Sequence, residues 1–241
     1  MVDEVAALGP FFAFEVHDAA AAVPAPWRRM AELVDVPAVL ADRAAGVRDY
    51  LAAAGGRSPE QVELRVAASV AHLGLTARLI SPALAVAVRY RAVLPIDLRE
   101  ARWQPVPGSM FPLSLPRCTP DPVAELPELA DRLAAELLDG PIRELVEATR
   151  PLSVSPHILW GNVASALNGA AAALANARPA QADRARAIAA LLLARPPLRG
   201  VGTGAPGGPT AFRRRSCCLI YRATPGGALC GDCVLTRRQL H

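Results

Sequence analysis

Four of the chain's five cysteines lie close together near its C-terminal end, and their thiols are the side chains best suited to chemistry. Cys217 and Cys218 are adjacent, eleven residues follow, and Cys230 and Cys233 then form a Cys-x-x-Cys pair. Four thiolates gathered in this way can hold one tetrahedral metal ion or the two irons of a [2Fe–2S] cluster. The spacing therefore predicts a metal centre built from these four side chains.

The residues around the cysteines are typical of a tight loop. Two cysteines three positions apart can direct both sulfurs at one iron, and Gly231 between them allows the positive φ that such a turn often needs. Pro225-Gly226-Gly227 is expected to turn the chain back, and residues 219–222 to form one arm of a small hairpin. Adjacent side chains on extended backbone point in opposite directions, so the Cys-Cys pair can reach one centre only if the backbone bends there.

Other uses of these thiols are conceivable. A zinc ion also accepts four cysteines, and although its usual signature is two Cys-x-x-Cys arms, spacing alone does not separate zinc from iron–sulfur. Structural disulfides are disfavoured, because no secretory signal opens the chain and vicinal bridges are strained. A thioredoxin-like pair at Cys230 and Cys233 lacks the βαβ context it needs. His241 could replace a thiolate only with a His/Cys spacing that this chain does not have.

The cysteine region resembles the C-terminal [2Fe–2S] domain of FhuF-type ferric-siderophore reductases, whose motif is Cys-Cys-x10-Cys-x2-Cys. The match includes Arg-Arg-Ser-Cys-Cys-Leu at 214–219 and Gly-Gly-x-x-Cys-Gly-Asp-Cys at 226–233. The stretch 158–167 is similar to the family's larger N-terminal region. Here eleven residues separate the cysteine pairs rather than ten, and the extra one falls in the turn, where insertions cost least. With the resemblance, iron–sulfur is favoured over zinc.

The resemblance implies a function: reduction of ferric iron held by a siderophore, in the cytoplasm. Cys217, Cys218, Cys230 and Cys233 would hold the cluster, and no acid, base or nucleophile would be required. The siderophore's hard oxygen ligands hold Fe(II) much less tightly than Fe(III), so one electron would release the metal as Fe(II). Two other functions stay open: a zinc-stapled binding protein without redox activity, and a ferredoxin-like electron carrier for another enzyme.

The electron donor is expected to be a separate ferredoxin or flavin reductase. The stretch 202–207 nominally matches Gly-x-Gly-x-x-Gly, but it contains a proline, and neither a preceding strand nor a following helix is predicted. The sequence therefore gives no nucleotide-binding signal of its own.

Four arginines close to the cysteines are candidates for tuning the cluster or docking a partner. They are Arg213, Arg214, Arg215 and Arg222. Cations near a negatively charged cluster favour its reduced state and raise its potential. The alternative is a solvated basic run that keeps this segment soluble.

His157, Trp160 and Asn162 stand at the start of a predicted helix. They are candidates for lining a pocket where cluster and substrate approach each other, with Trp160 packed against the terminal domain; the alternative is core packing and capping. His72 lies on an apolar helix face and is interpreted as a core histidine with its hydrogen bonds satisfied. Cys118, alone in a predicted loop, is interpreted as incidental.

Composition places the chain among ordinary globular proteins. It has 241 residues, of which 52% are hydrophobic and 20% charged. The net charge is +4, and arginine rather than lysine supplies the positive charges. The basic and aromatic runs typical of nucleic-acid binding are missing. The most apolar window, 66–88, is interrupted by His72, Arg78 and Pro82, so no membrane span is expected. A cytoplasmic protein is predicted, with peripheral association at the inner membrane face left open.

The predicted fold is mainly α, an α+β arrangement of helices with one small hairpin. A helical domain over 1–194, a Gly/Pro linker over 195–211 and a [2Fe–2S]-binding domain over 212–241 are expected. The hairpin would pair 94–105 with 110–115 around Pro107-Gly108.

Helix boundaries follow from proline and capping signals. Ser58-Pro59-Glu60-Gln61 predicts a helix start with a capping box, and Ser81-Pro82 a stop and restart. Further helices are expected from Pro122 and, capped by Ser155, over 156–177.

Overall fold

The computed structural model describes residues 1–107, 110–205, 211–227 and 229–235. The described chain is mainly α, as predicted. Its α-helices are α1 (Val2–Ala6), α2 (Glu32–Asp35), α3 (Pro37–Ala54), α4 (Leu64–Tyr90), α5 (Leu126–Leu133), α6 (Arg143–Thr149), α7 (Pro156–Ala177) and α8 (Ala182–Leu193). Its strands are β1 (Glu15–His17), β2 (Arg28–Arg29), β3 (Ala92–Val93), β4 (Arg102–Trp103), β5 (Leu113–Pro116), β6 (Asp121–Pro122), β7 (Gly202–Thr203) and β8 (Arg213–Arg214).

A small sheet of order β1-β5-β4-β2 contains the predicted hairpin. Strands β4 and β5 are antiparallel, with Trp103 opposite Leu113. The Pro107-Gly108 turn lies partly outside the described residues. The parallel pairing of β1 with β5 was not predicted, because it joins segments about a hundred residues apart. Two further strand pairs, β3–β6 and β7–β8, stand apart from this sheet.

Helix α4 is the centre of the fold, and it runs unbroken through Pro82. The predicted stop at Ser81-Pro82 was wrong. A proline inside a helix removes one backbone hydrogen bond and strains the preceding turn. Here Pro82 and its neighbours are buried, and α4 packs against α3 and α7, so packing of this helix outweighs the local penalty.

His72 of α4 is fully buried, but its hydrogen bonds are not satisfied as expected. Neither ring nitrogen has a hydrogen-bond partner among the described residues. Burial away from water disfavours the charged imidazolium and lowers the pKa of His72 to about 3. The side chain is therefore a neutral member of the core.

The helix predicted from Pro122 begins later, at Leu126, because Asp121 and Pro122 pair with β3. Helix α5 then continues into a π-helical segment, Ala134–Ile142, and on into α6. Gly140 has φ −97° and ψ −117°, outside the helical region, and Pro141 follows it. These two residues account for the kink between α5 and α6.

Helix α7 has the predicted bounds and the predicted cap, with the Ser155 hydroxyl accepting from the Ile158 amide at 3.4 Å. It packs against α4 on one side and α8 on the other. By length and composition alone, α4 and α7 could each cross a membrane, contrary to the expectation that no segment would qualify. Inside the protein, 83% of the apolar window of α4 and 67% of that of α7 are buried, as in core helices.

The chain after α8 returns to the helical body. Leu198 and Val201 are buried in the main apolar core, and β7 then pairs with β8. Residues 206–210 and 236–241, the latter including His241, lie outside the described residues. The division into 1–194, 195–211 and 212–241 stays a prediction. We call residues 211–227 and 229–235 the cysteine lobe.

Candidate metal centre

The backbone of the cysteine lobe bends where the adjacent cysteines need it to. Leu219, directly after them, has φ 70° and ψ −2°, a left-handed conformation that side chains rarely adopt. Its amide donates to the Cys217 sulfur at 3.3 Å. Residues 220–222 then form a 3₁₀ turn rather than the predicted hairpin arm.

The later turns of the lobe follow the prediction in part. Gly226 and Gly227 have φ of 67° and 65°, which only glycine adopts without cost, and they reverse the chain. Gly231, by contrast, is not among the residues with positive φ. The Cys230–Cys233 turn closes through an ordinary hydrogen bond from the Cys233 amide to the Cys230 carbonyl, 3.1 Å long.

The four sulfurs form a connected group, with contacts between the adjacent Cys217 and Cys218 and two contacts across the loop. The Cys218 and Cys230 sulfurs are 3.3 Å apart, and those of Cys217 and Cys233 are 3.9 Å apart. That Cys230 and Cys233 direct their sulfurs at one iron stays a prediction.

This donor set fits a two-iron centre. Two thiolates bound tetrahedrally to one metal at about 2.3 Å have sulfurs about 3.8 Å apart, close to both observed separations. No three His, Cys, Asp or Glu side chains in the described part of the chain converge on one ion position. Both separations suit sulfurs that share a metal, in a two-iron centre or around one tetrahedral ion.

Three of the four thiols differ in the direction of their pKa shifts. Hydrogen bonds from Cys217 and Cys230, assisted by the charge of Arg214, hold the pKa of Cys218 well below its ordinary value despite burial. The pKa values of Cys217 and Cys230 are correspondingly raised, because each proton is held in its hydrogen bond to Cys218 and burial disfavours the thiolate. Among these three thiols, Cys218 is thus the one most easily converted to the thiolate, the form in which cysteine binds metal.

Arg214 is the arginine that faces the sulfurs. Its side chain is 1% exposed, and a guanidinium nitrogen donates to the Cys230 sulfur at 2.8 Å. It also pairs with the Asp232 carboxylate at 3.4 Å and donates to the Asn162 side-chain oxygen at 3.1 Å. Burial alone would lower the pKa of Arg214, but Cys218, Asp232 and Cys230 more than offset this and raise it.

The other three candidate arginines point elsewhere. Arg213 is exposed and donates to the Cys233 carbonyl at 3.3 Å, not to a sulfur. Arg215, also exposed, donates its amide to the Val201 carbonyl. Arg222 forms an ion pair with Glu63 at the start of α4. The contacts of Arg215 and Arg222 tie the lobe to the rest of the protein, whereas that of Arg213 stays within the lobe.

Two of the three candidates on α7 contact the lobe. The His157 ring lies 3.3 Å from the Arg215 carbonyl, and Asn162 is fully buried against Arg214. Trp160 packs at the edge of the main apolar core, with the Arg143 guanidinium 5.5 Å from its ring centroid.

Helix α7 and the lobe also approach each other very closely at Gly161. A Cβ at this position would lie 2.0 Å from the Ser216 hydroxyl oxygen, so only glycine fits without a shift.

A cleft of about 400 Å³ opens between α7 and the lobe. Its lining comprises Ser165, Asn168, Gly169 and Ala172 from α7, and Ala211, Phe212, Gly231 and Asp232 from the lobe. Gly231 and Asp232 are the two residues between Cys230 and Cys233, so the cleft reaches the edge of the sulfur site. In the described part of the chain, no heavy atom other than those of Gly231 and its two neighbours lies within 4 Å of where a Gly231 side chain would begin.

Sequence reasoning missed three residues of the site. Asp232 pairs with Arg214, Ser69 of α4 holds Asn162, and Gly161 makes room for Ser216. The position of Asp232 inside Cys-Gly-Asp-Cys was a usable signal, whereas nothing near Ser69 or Gly161 in the sequence marks their long-range contacts. Cys118 is half-buried against the main core, and burial raises its pKa, so it behaves as a packing residue.

Comparison with known proteins agrees with this geometry. Residues 214–235 match the family model described as FhuF 2Fe-2S C-terminal domain. The matched range contains all four cysteines together with Arg214 and Asp232. No curated protein sequence matches the chain. The cysteine-rich end of this chain is therefore an FhuF-type C-terminal iron–sulfur domain, and its cofactor is a [2Fe–2S] cluster.

Proposed function

We propose that the protein is a ferric-siderophore reductase that gives one electron to siderophore-bound Fe(III) and releases Fe(II) in the cytoplasm. The single observation that carries this is the group of four cysteine sulfurs within the stretch that matches the FhuF 2Fe-2S C-terminal domain. When bound, the [2Fe–2S] cluster supplies one-electron redox chemistry. The siderophore's iron is substrate: Fe(III) becomes Fe(II), which hard oxygen ligands hold less tightly.

The chain's own residues bind and position in this scheme. Cys217, Cys218, Cys230 and Cys233 hold the centre, and the left-handed Leu219 fixes the geometry of the first two. No acid or base is needed, because no proton moves in the reduction of Fe(III) to Fe(II). A separate donor, a ferredoxin or flavin reductase, restores the electron.

The cleft beside the Cys230–Cys233 turn is the place where we expect the substrate to approach. Electron transfer requires closeness more than covalent contact, and the small residues Gly169, Ala172 and Gly231 leave this side of the lobe open. Asn168 and Ser165 offer hydrogen bonds to the oxygen atoms of a chelate. That His157, Trp160 and Asn162 line the approach to the cluster stays a prediction.

The proposed function is tested by single-turnover oxidation. Protein purified without oxygen is reduced with dithionite, desalted, and mixed with ferric siderophores while the visible bands of the cluster are followed. Faster oxidation than that of a small [2Fe–2S] ferredoxin of similar potential supports a reductase. Equal rates would favour the ferredoxin-like carrier, and a colourless zinc-containing protein would favour the non-redox binding protein.

The cleft is tested with two neighbouring exposed alanines of α7. Ala172→Trp fills the cleft, whereas Ala173→Trp places the same side chain beside it, against a different cavity. With spectrum and potential unchanged, A172W should slow oxidation by ferric siderophore about tenfold or more. Equal rates for both variants would place the approach of the substrate elsewhere.

A further inference from the structure

Arg214 is held in place by the helical body rather than by the lobe alone. Asn162 of α7, which accepts its hydrogen bond, is itself fixed by donating to the Ser69 carbonyl at 3.0 Å and the Ser69 hydroxyl at 3.1 Å. Ser69 lies on α4, the central helix. A chain of buried contacts therefore runs from the core of the body through Asn162 and Arg214 to the Cys230 sulfur.

Burial gives this arginine an electrostatic weight that its neighbours do not have. A charge shielded from water acts through a lower effective dielectric and is little screened by salt. Arg213 and Arg215 carry the same charge one residue away, but both are exposed and neither donates to a sulfur. Of the three consecutive arginines, only the middle one combines burial with a hydrogen bond to a ligand.

The reduced cluster carries one more negative charge than the oxidised cluster. A fixed cation and a hydrogen bond to a ligand sulfur stabilise the reduced form preferentially, which raises the reduction potential. The Asp232 carboxylate, 3.4 Å from the guanidinium, acts in the opposite direction. Removing the cation and removing the carboxylate should therefore shift the potential with opposite signs.

We infer that Arg214 is the positioning residue that sets the reduction potential of this cluster, that Asn162 and Ser69 hold its guanidinium against Cys230, and that Asp232 limits its effect. Arg213, Arg215 and Arg222 are not part of this device. The inference rests on the [2Fe–2S] cofactor and not on the identity of the electron acceptor.

The experiment is dye-coupled titration of the full-length, cluster-loaded protein under nitrogen. Arg214→Gln should lower the equilibrium constant for reduction about tenfold or more, a fall of about 59 mV for one electron. Asn162→Ala should shift it in the same direction by less, because the guanidinium is loosened but kept. Asp232→Asn should shift it upward.

Arg213→Gln and Arg215→Gln are the matched controls, since each removes the same charge from an exposed neighbour. Their shifts should be small and should vanish as salt is raised, whereas the shift of R214Q should persist. Equal shifts in R213Q and R214Q would overturn the inference, and so would downward shifts in both R214Q and D232N.

A variant that loads no cluster leaves the test intact. If R214Q does not assemble the cluster, the potentials of Asn162→Ala and Asp232→Asn provide the test, because both variants keep Arg214. Opposite shifts in these two variants support the inference. An unchanged potential in both would overturn it, and a normal visible spectrum in each variant shows that the cluster is present.

Discussion

Two of the buried arginines in the described part of the chain, Arg78 in the helical body and Arg214 in the cysteine lobe, have different roles. Arg78 of α4 donates to four backbone carbonyls, those of Pro10, Phe11, Ala13 and Phe111, at 2.7 to 3.1 Å. Arg214 faces two sulfurs and a carboxylate. Arg78 holds separate segments of backbone together, whereas Arg214 lies beside the sulfurs, where the charge of the cluster changes on reduction.

Their electrostatic surroundings show the contrast. With no anion beside it among the described residues, Arg78 has its pKa lowered by burial to about 10. The pKa of Arg214 is raised, although burial alone would lower it. The difference teaches that a buried arginine among carbonyls is a structural feature, whereas one among thiolates marks a functional centre.

The two regions also differ in what holds them together. The body has a continuous apolar core from α1 to α8. The described part of the lobe has few buried apolar side chains. Ala223 and Leu219 of the lobe pack instead on a small cluster between α3 and α4. The body should therefore stand without the cofactor, and the lobe should not.

The largest expected effect follows from removing the cluster. Cys218→Ser combined with Cys230→Ser, or treatment with a strong chelator, should abolish the visible bands and make the lobe sensitive to proteases, because metal binding supplies most of its folding free energy. The helical circular dichroism of the body should stay. Cys118→Ser is the control and should change neither. Loss of helicity together with the lobe would mean that the two regions fold as one.

The second-largest expected effect is on the stability of the helical body and concerns Arg78. Arg78→Met should lower the free energy of unfolding by about 3 to 5 kcal/mol, since four backbone carbonyls, that of Phe111 buried and the others partly so, lose a charged donor. Denaturant titration measures this, with the exposed Arg99→Met as the control at about 1 kcal/mol or less. The potential of the cluster should not move, which would separate the two arginines. A potential shift in R78M as large as in R214Q would break the comparison.

Because His72 is buried, the stability of the helical body should depend on pH. Its folded pKa of about 3 lies below the ordinary 6.5, so between these values the unfolded chain binds a proton that the folded chain does not. Stability should therefore fall as pH drops through this window, by up to about 1.4 kcal/mol for each pH unit. His72→Leu should flatten this dependence in unfolding experiments from pH 7 to 4. An unchanged slope would show that other groups cause it.

The smallest effect is at the contact between body and lobe. Gly161→Ala forces the Ser216 hydroxyl to rotate away, at a cost of about 1 kcal/mol, and should speed loss of the cluster to a chelator. The double variant Gly161→Ala, Ser216→Ala should restore retention, because the remaining Ser216 carbon would lie 3.4 Å away. Gly169→Ala, with open space around it, is the matched control. Failure of the second substitution to rescue would argue against this contact.

The sequence predicted the features that depend on short spacing. The four cysteines, the Ser155 cap, the glycine turn at 226–227 and the hairpin around Trp103 all rest on residues near one another in the chain. Burial of Arg214 between two exposed arginines is an alternation that a strand explains, but β8 forms only because β7 pairs with it. The Ser69–Asn162 contact spans 93 residues and left no local signal. Helix α4 passes through Pro82 because packing outweighs a local preference.

The contact between Asn162 and Arg214 has a thermodynamic consequence. If seating of the lobe on α7 makes the centre a better electron acceptor, then gaining an electron must tighten that seating by the same factor, because binding linkage is reciprocal. A donor would thus leave the lobe more firmly attached, and handing the electron on would loosen it. The strength of attachment would then report how many electrons the protein holds.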